Sequence, residues 1–151
     1  MSDNLKVEKQ TQQVSLFMTD GVIFDGHVYL SQYAMHHSGE QTVLDLLIDG
    51  NPFLPMRNTT GEFQLIQKGM ISHVRCEVPM NDKINYTQRQ VKISFPKSEI
   101  LTGALKIDMP SHSVRLTDYI NAGNDFFPLF SGEVAYLVNR SLIRDIILLE
   151  G

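Results

Sequence analysis

Asp45 and Asp118 occupy matching places in two stretches of the chain: DLLIDGNPFLPM at 45–56 and DYINAGNDFFPL at 118–129 share the frame D-x-(apolar)-x-x-G-N-x-F-(apolar)-P-(apolar). A carboxylate among apolar neighbours must reach water or accept hydrogen bonds from backbone N–H groups. Turned toward a cavity together with Asn51 and Asn124, these carboxylates would make two equivalent polar ligand pockets. Acid–base catalysis would also need a proton-transfer partner within hydrogen-bond reach. The neighbouring sequence specifies none, so the residue types favour the bracing of a loop. Gly50 and Gly123 suit turn positions of positive φ, and Phe53 and Phe126 then re-enter strands in which Pro55 and Pro128 stand at an edge or an end.

A basic pair follows, Lys68 at 23 residues after Asp45 and Arg140 at 22 after Asp118. LIQKGMISHV at 65–74 lies without a gap over LVNRSLIRDI at 137–146. Two short strands joined by a tight turn would place Lys68 and Arg140 at the turn, with Ile71 and Ile143 packing inward. Cations presented in this way suit contact with RNA or nucleotide phosphates, in a salt-sensitive manner. Other reactive residue types form no such pattern. His36, His37 and Glu40 are the best metal-like cluster, yet adjacent histidines on an extended loop diverge and no further ligand is implied. Cys76 has no histidine beside it in sequence and reads as a packing residue. No P-loop, dinucleotide glycine fingerprint, G-x-S-x-G elbow or H-E-x-x-H helix occurs, so neither cofactor nor metal is expected.

The elements that must position these residues read as strands. Val14, Leu16 and Met18 alternate with more polar neighbours, Asp20-Gly21 signals a turn, and Ile23, Phe24, Gly26, Val28 and Leu30 follow. The second half answers with Val91, Ile93 and Phe95, then Ile100, Leu101, Gly103, Leu105 and Ile107. Apolar residues at every second position mark strands, and each half opens with a hairpin. Three matched blocks in one order predict a tandem duplication. The expected organisation is a polar arm at 1–12, a first repeat at 13–75, a junction at 76–90 and a second repeat at 91–149. The first copy carries a longer connection around YAMHHSGEQT, which belongs in a surface loop.

At 151 residues, two units of this size would lean on each other, because small units bury too little surface to stand alone. The net charge of −4 weighs against bulk electrostatic binding of nucleic acid. One cysteine and an N-terminus lacking a basic start and an apolar signal core predict a cytoplasmic protein. No apolar run approaches the roughly 20 residues that would span a bilayer, so membrane insertion is not expected.

The basic turn resembles the second signature of the Sm-like small β-barrels, and VSLFMTDGVIFDGHVYL at 14–30 is similar to their first, with its alternation, its D-G and its G-x-(apolar). After Gly26 the chain reads HVYL in place of that family's aspartate and base-contacting Met-Asn pair. Leu116, Asp118, Tyr119, Asn121, Phe126, Pro128, Val138, Asn139, Arg140 and Ile143 also follow an order similar to that of short bacterial domains of unknown function. The resemblance implies a mainly β fold of two tandem Sm-like or SH3-like barrels of about five strands each, packed together. Helix is expected only as single turns near 31–36 and 117–121. The leading functional expectation is a non-enzymatic protein-interaction or assembly module of a bacterial cytosolic protein, with exposed edge strands allowing a homo-oligomer. The alternative is an RNA- or nucleotide-binding protein using the turns at Lys68 and Arg140. An enzyme built on the Asp45 and Asp118 loops ranks third.

Overall fold

The computed structural model describes residues 9–31, 40–77, 87–107 and 116–149. The elements in chain order are β1 (Lys9–Met18), β2 (Ile23–Ser31), α1 (Val43–Ile48), β3 (Phe53–Asn58), β4 (Phe63–Gln67), a 3-10 turn at Lys68–Met70 and β5 (Ile71–Glu77). There follow β6 (Thr87–Ser94), β7 (Ile100–Ile107), α2 (Leu116–Ala122), β8 (Phe126–Ser131), β9 (Val134–Asn139), a 3-10 turn at Arg140–Leu142 and β10 (Asp145–Leu148). The order strand, strand, helix, strand, strand, 3-10 turn, strand thus occurs twice.

The strands form one antiparallel sheet that is not closed, in the order β10-β6-β7-β8-β9-β5-β1-β2-β3-β4. Within it the first five strands and the last five are arranged alike. In each set the fifth strand lies beside the first, followed by the second, third and fourth. The two sets meet where β5 pairs with β9, with Val74 opposite Leu137 and Cys76 opposite Ala135.

Burial explains why the chain stays in this register. One apolar cluster takes Leu16, Val28, Leu54, Met56, Ile71 and Val74 from β1, β2, β3 and β5. The other takes Val91, Ile93, Leu105, Leu129 and Val138 from β6 to β9. Successive side chains leave a strand on opposite faces, so β9 serves both clusters. Ala135 and Leu137 enter the first, while Val138 enters the second with Tyr136 packed against it. A one-residue slip would exchange these faces. β8 is shared in the same way, with Phe126 in the first cluster and Phe127 in the second.

Several boundaries differ from those read in sequence. β1 begins at Lys9, which pairs with Ser31, so residues 9–12 of the polar arm belong to the sheet; residues 1–8 lie outside the described ones. β5 continues to Glu77 and β6 starts at Thr87, leaving 78–86 of the junction outside the described residues. The turn expected near 31–36 is strand at Ser31 and undescribed beyond it, whereas α2 covers the one expected at 117–121. The block opening at Asp45 is helix, where a loop was expected. Gly50 has the expected positive φ of 91°, but Gly123 does not need one. No helix among the described residues is long and apolar enough to cross a membrane.

Candidate interaction edges and the basic turns

α1 has only six residues, too few for intrinsic propensity to sustain. It is fixed at both ends by side chains. At its start, Thr42 Oγ1 accepts from the N–H of Asp45 at 3.2 Å and an Asp45 carboxylate oxygen accepts from the N–H of Thr42 at 2.8 Å, a reciprocal capping box. At its end, buried Lys68 donates from Nζ to the carbonyl of Leu46 and to Asp49 Oδ1, the latter at 2.6 Å. Asp49 also accepts from the N–H of Asn51 at 2.8 Å. Burial pushes the Asp49 carboxyl up, but the hydrogen bonds from Lys68 and Asn51 outweigh it and hold its pKa below the ordinary value.

Arg140 repeats this arrangement in the second half. Its Nη1 donates to the carbonyls of Ile120 and Asn121 at the end of α2, both at 3.1 Å, and its Nη2 lies 3.7 Å from Asp125 Oδ1. Helix ends leave carbonyls without intrahelical partners and carry partial negative charge. Both basic turns therefore spend their cations on the helix that precedes them. The six residues singled out by sequence do not converge on one pocket. Asp45 and Lys68 stand at opposite ends of α1, Asn51 supplies a backbone donor to Asp49, and Arg140 caps α2, while Asp118 and Asn124 are exposed.

Among the described residues, the other groups singled out for reactivity, Cys76 and Glu40, are sequestered or engaged. Cys76 is buried, which raises its thiol pKa to about 11 and makes it a poor nucleophile. His36 and His37 lie outside the described residues, and Glu40 accepts from Gln10 at 3.2 Å. An open groove of about 1160 Å³ runs beside Gln12, Ser15, Asp25, His27, Arg57 and Arg75. Some of its polar groups are engaged within the chain: Ser15 donates to Asp25 at 2.5 Å, and Arg57 donates to the Tyr29 hydroxyl at 3.0 Å and the Gly61 carbonyl at 2.9 Å.

What stands open is the sheet itself. Among the described residues β4 pairs with β3 alone and β10 with β6 alone. Exposed apolar side chains lie on or beside each free edge. On one side these are Phe53, Phe63 and Leu65, exposed by 46%, 56% and 58%; on the other they are Ile147, Leu148 and Leu149. Edge strands are ordinarily kept short or blunted by charge or proline; β4 and β10 are short, but β4 reads FQLIQ and β10 reads DIIL, without lysine or proline. Unpaired backbone donors and acceptors beside apolar side chains are the equipment for adding a strand from another polypeptide. Sequence reasoning placed Phe53 and Leu65 in the repeated motifs but gave none of these six residues a role at an edge. Leu65 and Leu137 sit in matching positions of the same motif, and only the distant pairing of β9 with β5 buries one of them. No family model, curated protein or solved structure matches the chain.

Proposed function

We propose that this chain is a non-enzymatic protein-interaction or assembly module that engages its partner by strand addition at its free sheet edges. The observation that carries this reading is the pair of apolar edges free of lysine and proline, β4 and β10, in a sheet that is not closed. The repeated order of elements, and the identical arrangement of five strands in each half, support its construction as a tandem duplication of a small Sm-like or SH3-like barrel unit. RNA recognition at the basic turns finds less support, because Lys68 and Arg140 are committed to helix ends. Native mass spectrometry of freshly purified protein at low ionic strength tests the reading. The expected spectrum contains polypeptide masses only. A retained nucleotide or RNA, with binding weakened by Lys68→Ala or Arg140→Ala and by salt, would replace the protein-interaction reading with the nucleic-acid one.

A further inference from the structure

We propose that the partner at these edges is a second copy of this chain: β10 of one copy pairs antiparallel with β4 of the next, in the register that β5 and β9 already use inside each chain. This inference rests on the edge-module reading and names its occupant. The internal joint supplies the template. β5 is the fifth strand of the first set and β9 the fourth strand of the second; β10 and β4 hold those same two places at the outer ends of the sheet.

Backbone register makes the correspondence residue by residue. Val74 of β5 lies opposite Leu16, and Ile146 of β10 lies opposite Ile93, the matching residue of the other opening hairpin. Leu137 of β9 lies opposite Pro128, and Leu65 of β4 lies opposite Pro55. Inside the chain Val74 faces Leu137 and Cys76 faces Ala135. Carried to the free edges, this places Ile146 opposite the partner's Leu65 and Leu148 opposite the partner's Phe63.

The side chains at these positions are suited to that joint. Phe126, Ala135 and Leu137 are buried where β5 covers them; their counterparts Phe53, Phe63 and Leu65 are apolar and exposed. The β5 residues Val74 and Cys76 are buried, and on β10 Ile146 is half-buried and Leu148 exposed. Arg75 and Glu77 of β5 correspond to Ile147 on β10 and Leu149 just beyond it, which would face the partner's Gln64 and Glu62, so no like charges oppose one another there. The helices show the same asymmetry. α1 packs across the internal joint, with Leu44, Leu46 and Ile48 in the cluster that holds Phe126, and buries Val43 and Leu47. α2, whose counterpart contact would be the partner's β3, has no fully buried residue, with Leu116, Tyr119 and Ile120 only half-buried against the second cluster.

Two different surfaces meet in this contact, so it is heterologous: each added copy leaves one β4 and one β10 free until a ring closes or a filament grows. Mixing two edge-blocked variants tests this directly. Leu65→Lys blocks β4 and Leu148→Lys blocks β10, both at exposed positions. By native mass spectrometry and light scattering, the natural chain is expected at multiples of the monomer mass and each variant alone at the monomer mass. Their equimolar mixture is expected to stop at a one-to-one dimer, because it contains one intact edge of each kind. Should a lysine variant lose its far-UV circular dichroism, the variants Phe63→Cys and Leu148→Cys, each made in a Cys76→Ala background so that it holds one cysteine, provide the test. A disulfide is expected between the two different variants and not between copies of either one.

A natural chain that stays monomeric at all concentrations, with no mixed dimer or mixed disulfide, overturns the inference, as do single variants that assemble like the natural chain. Amide exchange then separates the two levels of failure. Protection of β4 or β10 by a different polypeptide removes the second copy as occupant and leaves the module reading standing. Edges unprotected alone and in cell extract remove both.

Discussion

Lys68 is a cation 7% exposed, and it is tolerable there because α1 ends against it with a carbonyl and a carboxylate. Replacing it with methionine keeps the stem and deletes both bonds, leaving Asp49 with the Asn51 N–H and solvent. The expected cost is about 1–3 kcal/mol in urea denaturation, with a smaller loss for Arg140→Met, whose side chain is more exposed. His73 makes a different prediction. Its ring stacks on Phe17 at 4.4 Å and Phe95 at 5.2 Å and meets Tyr136 edge-on at 5.9 Å, and burial lowers its pKa from 6.5 to about 4. Between those values the unfolded chain holds more protons than the folded one. The contribution of His73 is therefore complete above about pH 6.5 and lost as the pH falls toward 4, by an amount on the order of 3 kcal/mol. Stability measured across this range is expected to flatten in His73→Phe. An unchanged slope would show that another group carries it.

Among the elements, the glycines at matched positions of β2 and β7 serve close approach. A Cβ on Gly26 would strike the Arg57 carbonyl oxygen and come within 2.5 Å of Met56 Cε, and one on Gly103 would lie 2.6 Å from the Phe130 carbonyl oxygen. Each marks the place where the second strand of a set pairs with the third for only a residue or two. Gly26→Ala and Gly103→Ala are each expected to cost about 1–3 kcal/mol in thermal or urea unfolding. Gly69→Ala, with nothing within 4 Å of the added atom, should stay within about 0.5 kcal/mol. The strands were legible because period-two alternation is a local signal, and so was the repetition of blocks. α1 was not, since six residues are fewer than two full turns and the following Gly50-Asn51 dominates as a turn signal. Its one local trace was Thr42 with Asp45 three residues later, the spacing of a capping box.

In the whole molecule, matched residues acquire different energies from their place in the sheet. Leu137→Ala removes a side chain from the joint between the two sets of strands and is expected to cost about 2–5 kcal/mol at any concentration. Leu65→Ala, at the matching place on the open edge, is expected to change monomer stability by no more than about 0.5 kcal/mol, with its effect appearing as chains associate. No reading of the motifs separates these two leucines, because their difference arises from the pairing of β9 with β5, strands far apart in sequence. The basic turns illustrate the converse: their position was legible, but the helix ends that consume their charge were not. The central claim is that β4 and β10 are the edges at which copies of this chain join, and amide hydrogen exchange of the natural chain at rising concentration tests it most directly. Selective slowing of exchange in β4 and β10, with β1 and β6 unchanged, is the expected result. Exchange at both edges that is equally fast at every concentration would contradict it.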